Sequence, residues 1–248
     1  MGVLARKLLS PSGGYATIEF VGGNTAIKAG ATSGDTTIAL DSGLTGGIAA
    51  AVSNDDLVIA VFARGGSNVN RTLSITDGTD PYTLIDSELY SADSARAVDL
   101  RVAYKFVSGD TSTTFGPTGN ASDGGAMAVY VFRNVSQSNT LDVAAVPATG
   151  NNTVKPNPAG ITPITEGAYI VVVGAGTHGV DTQTFSASDL TDFLTVTGLD
   201  TYDITIGVGQ KIDWTSGEFN AAEFTFSGSD GTGYAWAAMT IALRPASL

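Results

Sequence analysis

Cysteine is absent from the chain, and histidine occurs once, at His178. Without thiols there is no disulfide staple, no thiolate nucleophile and no cysteine-based metal site. One histidine is too few for a zinc site built on imidazoles, and no G-x-S-x-G element accompanies it to suggest a hydrolase triad. Basic residues are scarce as well: 12 Lys and Arg stand against 24 Asp and Glu, a formal net charge of −12. A surface of that sign repels nucleic acid and anionic lipid, so neither is an expected partner. No apolar run approaches the roughly 20 residues that a membrane-spanning helix needs. No stretch carries the 3.6-residue period of an amphipathic helix. At the N-terminus, Arg6 and Lys7 interrupt the only apolar stretch, which argues against a signal peptide. Arg6 also stands where a myristoylation signal requires Ser or Thr. The expectation is a protein made in a reducing cytoplasm and, if displayed outside, carried there by a route other than secretion.

What the chain does have is glycine, 31 residues of it, and many short apolar runs. The most informative is Asp56-Leu57-Val58-Ile59-Ala60-Val61-Phe62-Ala63, which returns about 112 residues later as Ala168-Tyr169-Ile170-Val171-Val172-Val173-Gly174-Ala175. Each follows a short polar turn and precedes a Gly-rich break. A continuous, β-branched run of this length, bounded by turn formers, reads as a strand buried on both faces. A second pair repeats at nearly the same offset: 125–133, ending Val131-Phe132-Arg133, and 235–244, ending Ala242-Leu243-Arg244. The expected fold is therefore all-β, a β-sandwich of jelly-roll-like or Ig-like type built from two related repeats. The first repeat covers 15–136 and the second 137–248. Periodicity leaves open whether they form tandem sandwiches or one fused unit.

An arm, residues 1–14, precedes the repeats and ends in the break Pro11-Ser12-Gly13-Gly14. It holds Leu4, Leu8 and Leu9 beside Arg6 and Lys7, two of the few basic residues in the chain. Either it packs on its own domain, or these five residues form an anchor that docks into a partner subunit. In the second repeat Leu141-Asp142-Val143 opens a Pro-rich connector with Pro147, Pro156, Pro158 and Pro163. Proline there points to an edge strand or an extended crossing.

Gly174-Ala175-Gly176-Thr177-His178-Gly179 matches the dinucleotide pattern G-x-G-x-x-G. That pattern binds pyrophosphate only at a helix N-terminus, and the β-branched, polar run 180–186 has no helical period. The expectation is a Gly-rich turn carrying a solvent-exposed histidine, with no cofactor. Asp77-Gly78-Thr79-Asp80 and Ser229-Asp230-Gly231-Thr232 resemble pieces of calcium loops, but Asx-Gly turns between strands account for both. No metal site is expected. The five glutamates suggest no catalytic pair. Of the aromatics, Trp236 lies in an apolar strand, whereas Trp214 follows Lys211-Ile212-Asp213 in a loop and is the candidate for stacking on a sugar ring.

Taken in order, Asn54-Asp55-Asp56-Leu57-Val58-Ile59-Ala60, Val102-Ala103-Tyr104-Lys105, Ala128-Val129-Tyr130-Val131-Phe132-Arg133-Asn134-Val135 and Ala237-Ala238-Met239-Thr240-Ile241-Ala242-Leu243-Arg244-Pro245 resemble a family of β-sandwich proteins common in the structural gene clusters of tailed bacteriophages and in some bacterial surface proteins. The likeness runs from about Tyr15 to Ala246. It departs at Asp55-Asp56, where the family pattern has Gly-Asp, and at Phe132-Arg133-Asn134, where it has Tyr-Arg-Gly. The resemblance implies a non-enzymatic virion protein, assembled in the host cytoplasm and displayed as a capsid decoration or tail-associated subunit. Its partners would be other virion proteins and further copies of itself. The other class it leaves open is an adhesin that recognises host-surface glycans. No catalytic residues come with the family.

Overall fold

The computed structural model describes residues 14–28, 35–93, 95–117, 123–179, 183–228 and 234–248. Among them there is no helix. The first half supplies β1 (Glu19–Lys28), β2 (Thr36–Ala39), β3 (Leu57–Gly66), β4 (Ile75–Thr76), β5 (Thr83–Leu84), β6 (Leu89–Ala92), β7 (Ala97–Phe106), β8 (Ser112–Phe115) and β9 (Gly125–Arg133). The second half supplies β10 (Val146–Asn151), β11 (Tyr169–His178), β12 (Phe185–Ser186), β13 (Thr191–Gly198), β14 (Asp203–Lys211), β15 (Thr225–Phe226) and β16 (Ala235–Leu243).

The alternation along β3 explains why it is apolar throughout. Leu57, Ile59, Val61 and Ala63 point into one core, while Val58, Ala60 and Phe62 point into another. Hydrogen bonds to β9 on one side and β7 on the other leave neither edge free. β11 repeats the arrangement between β16 and β14: Tyr169, Val171, Val173 and Ala175 face the shared core, and Ile170 and Val172 face outward. Each buried aliphatic or aromatic side chain contributes roughly 1.5–3 kcal/mol relative to exposure, so these two strands anchor the packing on both their faces.

Two antiparallel sheets result, ordered β1-β9-β3-β7-β5, with β6 also on β7, and β10-β16-β11-β14-β13. They stack face to face over a common core drawn from both halves of the chain, with β1 over β13 and β6 over β10. A three-stranded sheet, β2-β8-β4, covers the outside of the first large sheet. The β12-β15 pair, helped by Val154, Ile161 and Phe224, covers the outside of the second. The chain is therefore all-β and sandwich-like, with thin outer layers that bury the far faces of both central sheets.

The connector 137–145 is not a strand. Leu141 makes a single bridge to Leu243, and the strand of this region, β10, begins at Val146. Pro147 lies in β10 at the sheet edge, paired only with β16, where a missing N–H breaks no ladder.

The Arg-bearing ends of the two closing strands meet at one end of the molecule. Arg133, ending β9, makes two hydrogen bonds of 2.8 Å to the Asp56 carboxylate. Arg244, just past β16, donates Nε to Asp142 at 3.1 Å. Beyond the two arginines the chains pair with each other: Ser136 N donates to Arg244 O, and Ala246 N to Asn134 O. The strand-end motifs thus serve as clasps.

Candidate functional site

A concavity of about 940 Å³ opens beside this clasped end. Three loops and the lead-in to β1 form it. The 44–50 segment lies on the edge of β1, with Ile48 N donating to Phe20 O and Ala49 N to Val21 O. Gly47 permits that approach, because a Cβ there would sit 2.3 Å from the Val21 carbonyl oxygen. The segment leaves Ile48 58% exposed. From the other half, Ile164 projects with 71% of its surface in solvent. Its loop is pinned from below: Asp142 Oδ2 accepts from Ile164 N at 2.6 Å and Thr165 N at 3.0 Å, while Oδ1 takes the Arg244 bond. Burial pushes the Asp142 carboxyl up, but these donors outweigh it and hold the group below the usual carboxylate range. Asp142 is a positioning residue for this wall.

The third loop carries Trp214. Its indole Nε1 donates to Gly217 O at 3.0 Å, and the ring is half-buried against the outer core cluster. Phe20 and Tyr169 make the floor. Burial, then the Asp192 and Asp213 charges, push the Tyr169 phenol up, so it stays a neutral hydrogen-bonding group. Glu19, Glu166, Asp192 and Asp213 line the groove, which has no Lys or Arg among its described lining residues. The result is an apolar trough with an acidic rim. It suits an apolar segment carrying positive charge, or a ring stacked on Trp214.

Of the residues expected to act, Trp214 lies in this groove. Trp236 is buried in β16 against Gly150, as its place in an apolar strand implied. Leu4, Arg6, Lys7, Leu8 and Leu9 lie outside the described residues. Ile48, Ile164 and Asp142 were not singled out from the sequence. The available signal was an isolated large aliphatic within a turn, as in Gly46-Gly47-Ile48 and Pro163-Ile164-Thr165.

Two expectations are corrected. His178 is not an exposed turn residue, because it is fully buried at the end of β11, with Nε2 2.7 Å from Thr205 Oγ1 and its ring on Phe226. The glycines before it are not a break: β11 runs straight through Gly174 and Gly176. A Cβ at Gly174 would lie 2.6 Å from the Phe224 ring, and one at Gly176 2.2 Å from the Val154 carbonyl oxygen. These glycines let the covering layer approach the strand. The Arg64-Gly65-Gly66 segment likewise belongs to β3.

Several charges away from the groove are engaged in structure. Asp77 accepts from Thr79 N, Thr79 Oγ1 and Asp80 N and pairs with Lys105, as an Asx turn does. Ser229-Asp230-Gly231-Thr232 lies outside the described residues. Arg64, fully buried, contacts Asp99 and Asp123. Burial, opposed by the Arg71 amide and Arg64, pushes the Asp99 carboxyl up to about 6. No group of three or more potential metal ligands occurs among the described residues. No family model, no curated protein and no solved structure matches this chain.

Proposed function

We propose that this protein is a non-enzymatic structural component of a tailed-phage particle, assembled in the host cytoplasm and displayed on the capsid as a decoration protein. The observation that carries the reading is the groove. Ile48, Ile164 and Trp214 form an apolar contact surface on an acidic molecule whose other large side chains are mostly inside. Patches of that kind mark sites of association. The strand motifs that resemble phage structural proteins lie in the two central sheets and their clasps, which supports the same assignment.

The two halves are a duplicated unit. Their strand orders correspond, β1-β9-β3-β7 to β10-β16-β11-β14. Their edges exchange places across the core, β1 over β13 and β6 over β10. Each half closes on an Arg–Asp pair, Arg133–Asp56 and Arg244–Asp142. A duplicated sandwich presents one groove at the junction, where the 44–50 loop of one half meets the 163–169 loop of the other.

Electron microscopy of purified particles bearing a tagged copy tests the assignment. Regular sites on the capsid surface are expected, with occupancy lost on Ile164→Asp. Particles that carry the protein only on the tail, or carry the variant at full occupancy, would overturn it. A second reading rests on Trp214 beside Asp213 and Glu166, the aromatic-plus-carboxylate pairing that recognises sugars. Glycan binding lost on Trp214→Ala would favour that adhesin role.

A further inference from the structure

We infer that the groove is the receptor for the N-terminal arm of a second copy of this chain, with residues 3–9 as the docked segment. The inference rests on the groove being an association surface and names its occupant. The two chemistries match. The groove offers Ile48, Ile164 and Trp214 inside a rim of Glu19, Glu166 and Asp213. The segment Val3-Leu4-Ala5-Arg6-Lys7-Leu8-Leu9 offers four large aliphatics and two adjacent cations in a chain with twice as many acids as bases. Few other stretches of this sequence combine apolar residues with positive charge alone.

Topology favours a second copy over the same one. The chain enters the fold at the groove itself: Ala16 to Phe20 form one wall. Residues 14–16 are held against the C-terminus, with Leu248 N donating to Gly14 O at 2.7 Å and Ala16 N to Ala246 O at 2.8 Å. Only residues 10–13 remain to reverse the chain from this anchored ladder, and Pro11 fixes one of their φ angles. A short hinge of this kind promotes exchange into a neighbour. An extended segment of ten residues spans about 33 Å, enough to cross the groove of an adjacent subunit. Arm into groove closes as a two-fold dimer when the exchange is reciprocal, and propagates into rings or arrays when it is not.

The test uses the full chain, a variant lacking residues 2–10, and a synthetic peptide of residues 1–14. The full chain should self-associate with rising concentration in sedimentation equilibrium, and the shortened chain should stay monomeric with unchanged thermal melting. The peptide should bind the shortened chain and shift the emission of Trp214. Ile164→Asp in the groove, or Leu8→Asp in the peptide, should weaken that binding by more than about tenfold. Added salt should weaken it further, through Arg6 and Lys7. A full chain that is monomeric at every concentration, with a groove that takes the peptide only after the arm is deleted, would place the arm in its own groove and overturn the second-copy assignment. A peptide that binds neither chain would overturn docking altogether. If the peptide binds as expected but Ile164→Asp mounts on particles at full occupancy, the capsid assignment fails and the arm–groove pairing stands.

Discussion

At the sixth and eighth positions of β3 the outer face carries Phe62 and Arg64; at the same positions of β11 it carries Gly174 and Gly176. Both faces are fully buried. On β3 the strand fills the space itself. Phe62 meets Phe115 edge-on at 5.7 Å, and the Arg64 guanidinium binds Asp99, Asp123 and, at 2.9 Å, the Val69 carbonyl. On β11 the cover fills it. Phe224 and Phe185 press onto the glycines, and the nearby polar groups, His178, Thr205 and Thr197, form a chain of hydrogen bonds among ring nitrogen and hydroxyls. One strand frame therefore accepts two covers, one locked by buried charge and one by aromatic volume. The two should fail differently.

The largest effect belongs to the charged side. Arg64→Ala removes the buried cation that bridges Asp99 and Asp123. Stripping one partner from a buried ion cluster costs about 3–5 kcal/mol, so urea unfolding should shift by that amount. Replacing the whole cluster with Arg64→Met, Asp99→Asn and Asp123→Asn should recover most of it, because the cost lies in the uncompensated charge. A loss below about 1 kcal/mol for Arg64→Ala would mean that water reaches the site, and that the contrast with β11 is one of shape alone.

On the glycine side the expected penalty is steric. Gly174→Val drives a side chain into Phe224 and Pro156, an overpacking that costs about 1–3 kcal/mol. Combining it with Phe224→Leu should cost less than the sum of the two single changes, since the new side chain takes part of the vacated space. Strict additivity would show that Phe224 does not fill the space above Gly174, and the two covers would then be less alike in volume than they look.

This contrast also marks how far the sequence could be read. The runs 57–63 and 169–173 announce strands buried on both faces, because an unbroken β-branched stretch has no polar side to give to water. The extension of β11 through Gly174, Gly176 and His178 was not legible: local chemistry reads G-x-G as a turn, and only the covering residues Val154, Phe185 and Phe224, outside the motif in sequence, explain it. The groove was legible only at Trp214. Ile48 and Ile164 are single aliphatics in turns, with no period to flag them. The clasps that set the loops join residues 77 and 102 positions apart. Arg133 and Arg244 were visible as motif residues, but their partners Asp56 and Asp142 emerge only from the fold.

The smallest expected effect tests whether the β11 network is directed. Thr197 Oγ1 donates to the Gln183 carbonyl, which can only accept. Its lone pairs then receive the Thr205 hydroxyl, 2.8 Å away. Having donated there, Thr205 Oγ1 must accept from His178 Nε2 at 2.7 Å. The chain of donors therefore assigns the proton to Nε2 of the ring. Long-range 1H–15N spectra should give His178 Nε2 the shift of a protonated, pyrrole-type nitrogen. Thr205→Val removes the acceptor and the relay while keeping the volume, and should cost about 1 kcal/mol, the net worth of a typical buried hydrogen bond. A bare, pyridine-type Nε2 would reverse the order of donors from His178 to Thr197 and leave the Gln183 carbonyl without its bond, so it would overturn this account of how the second cover is held.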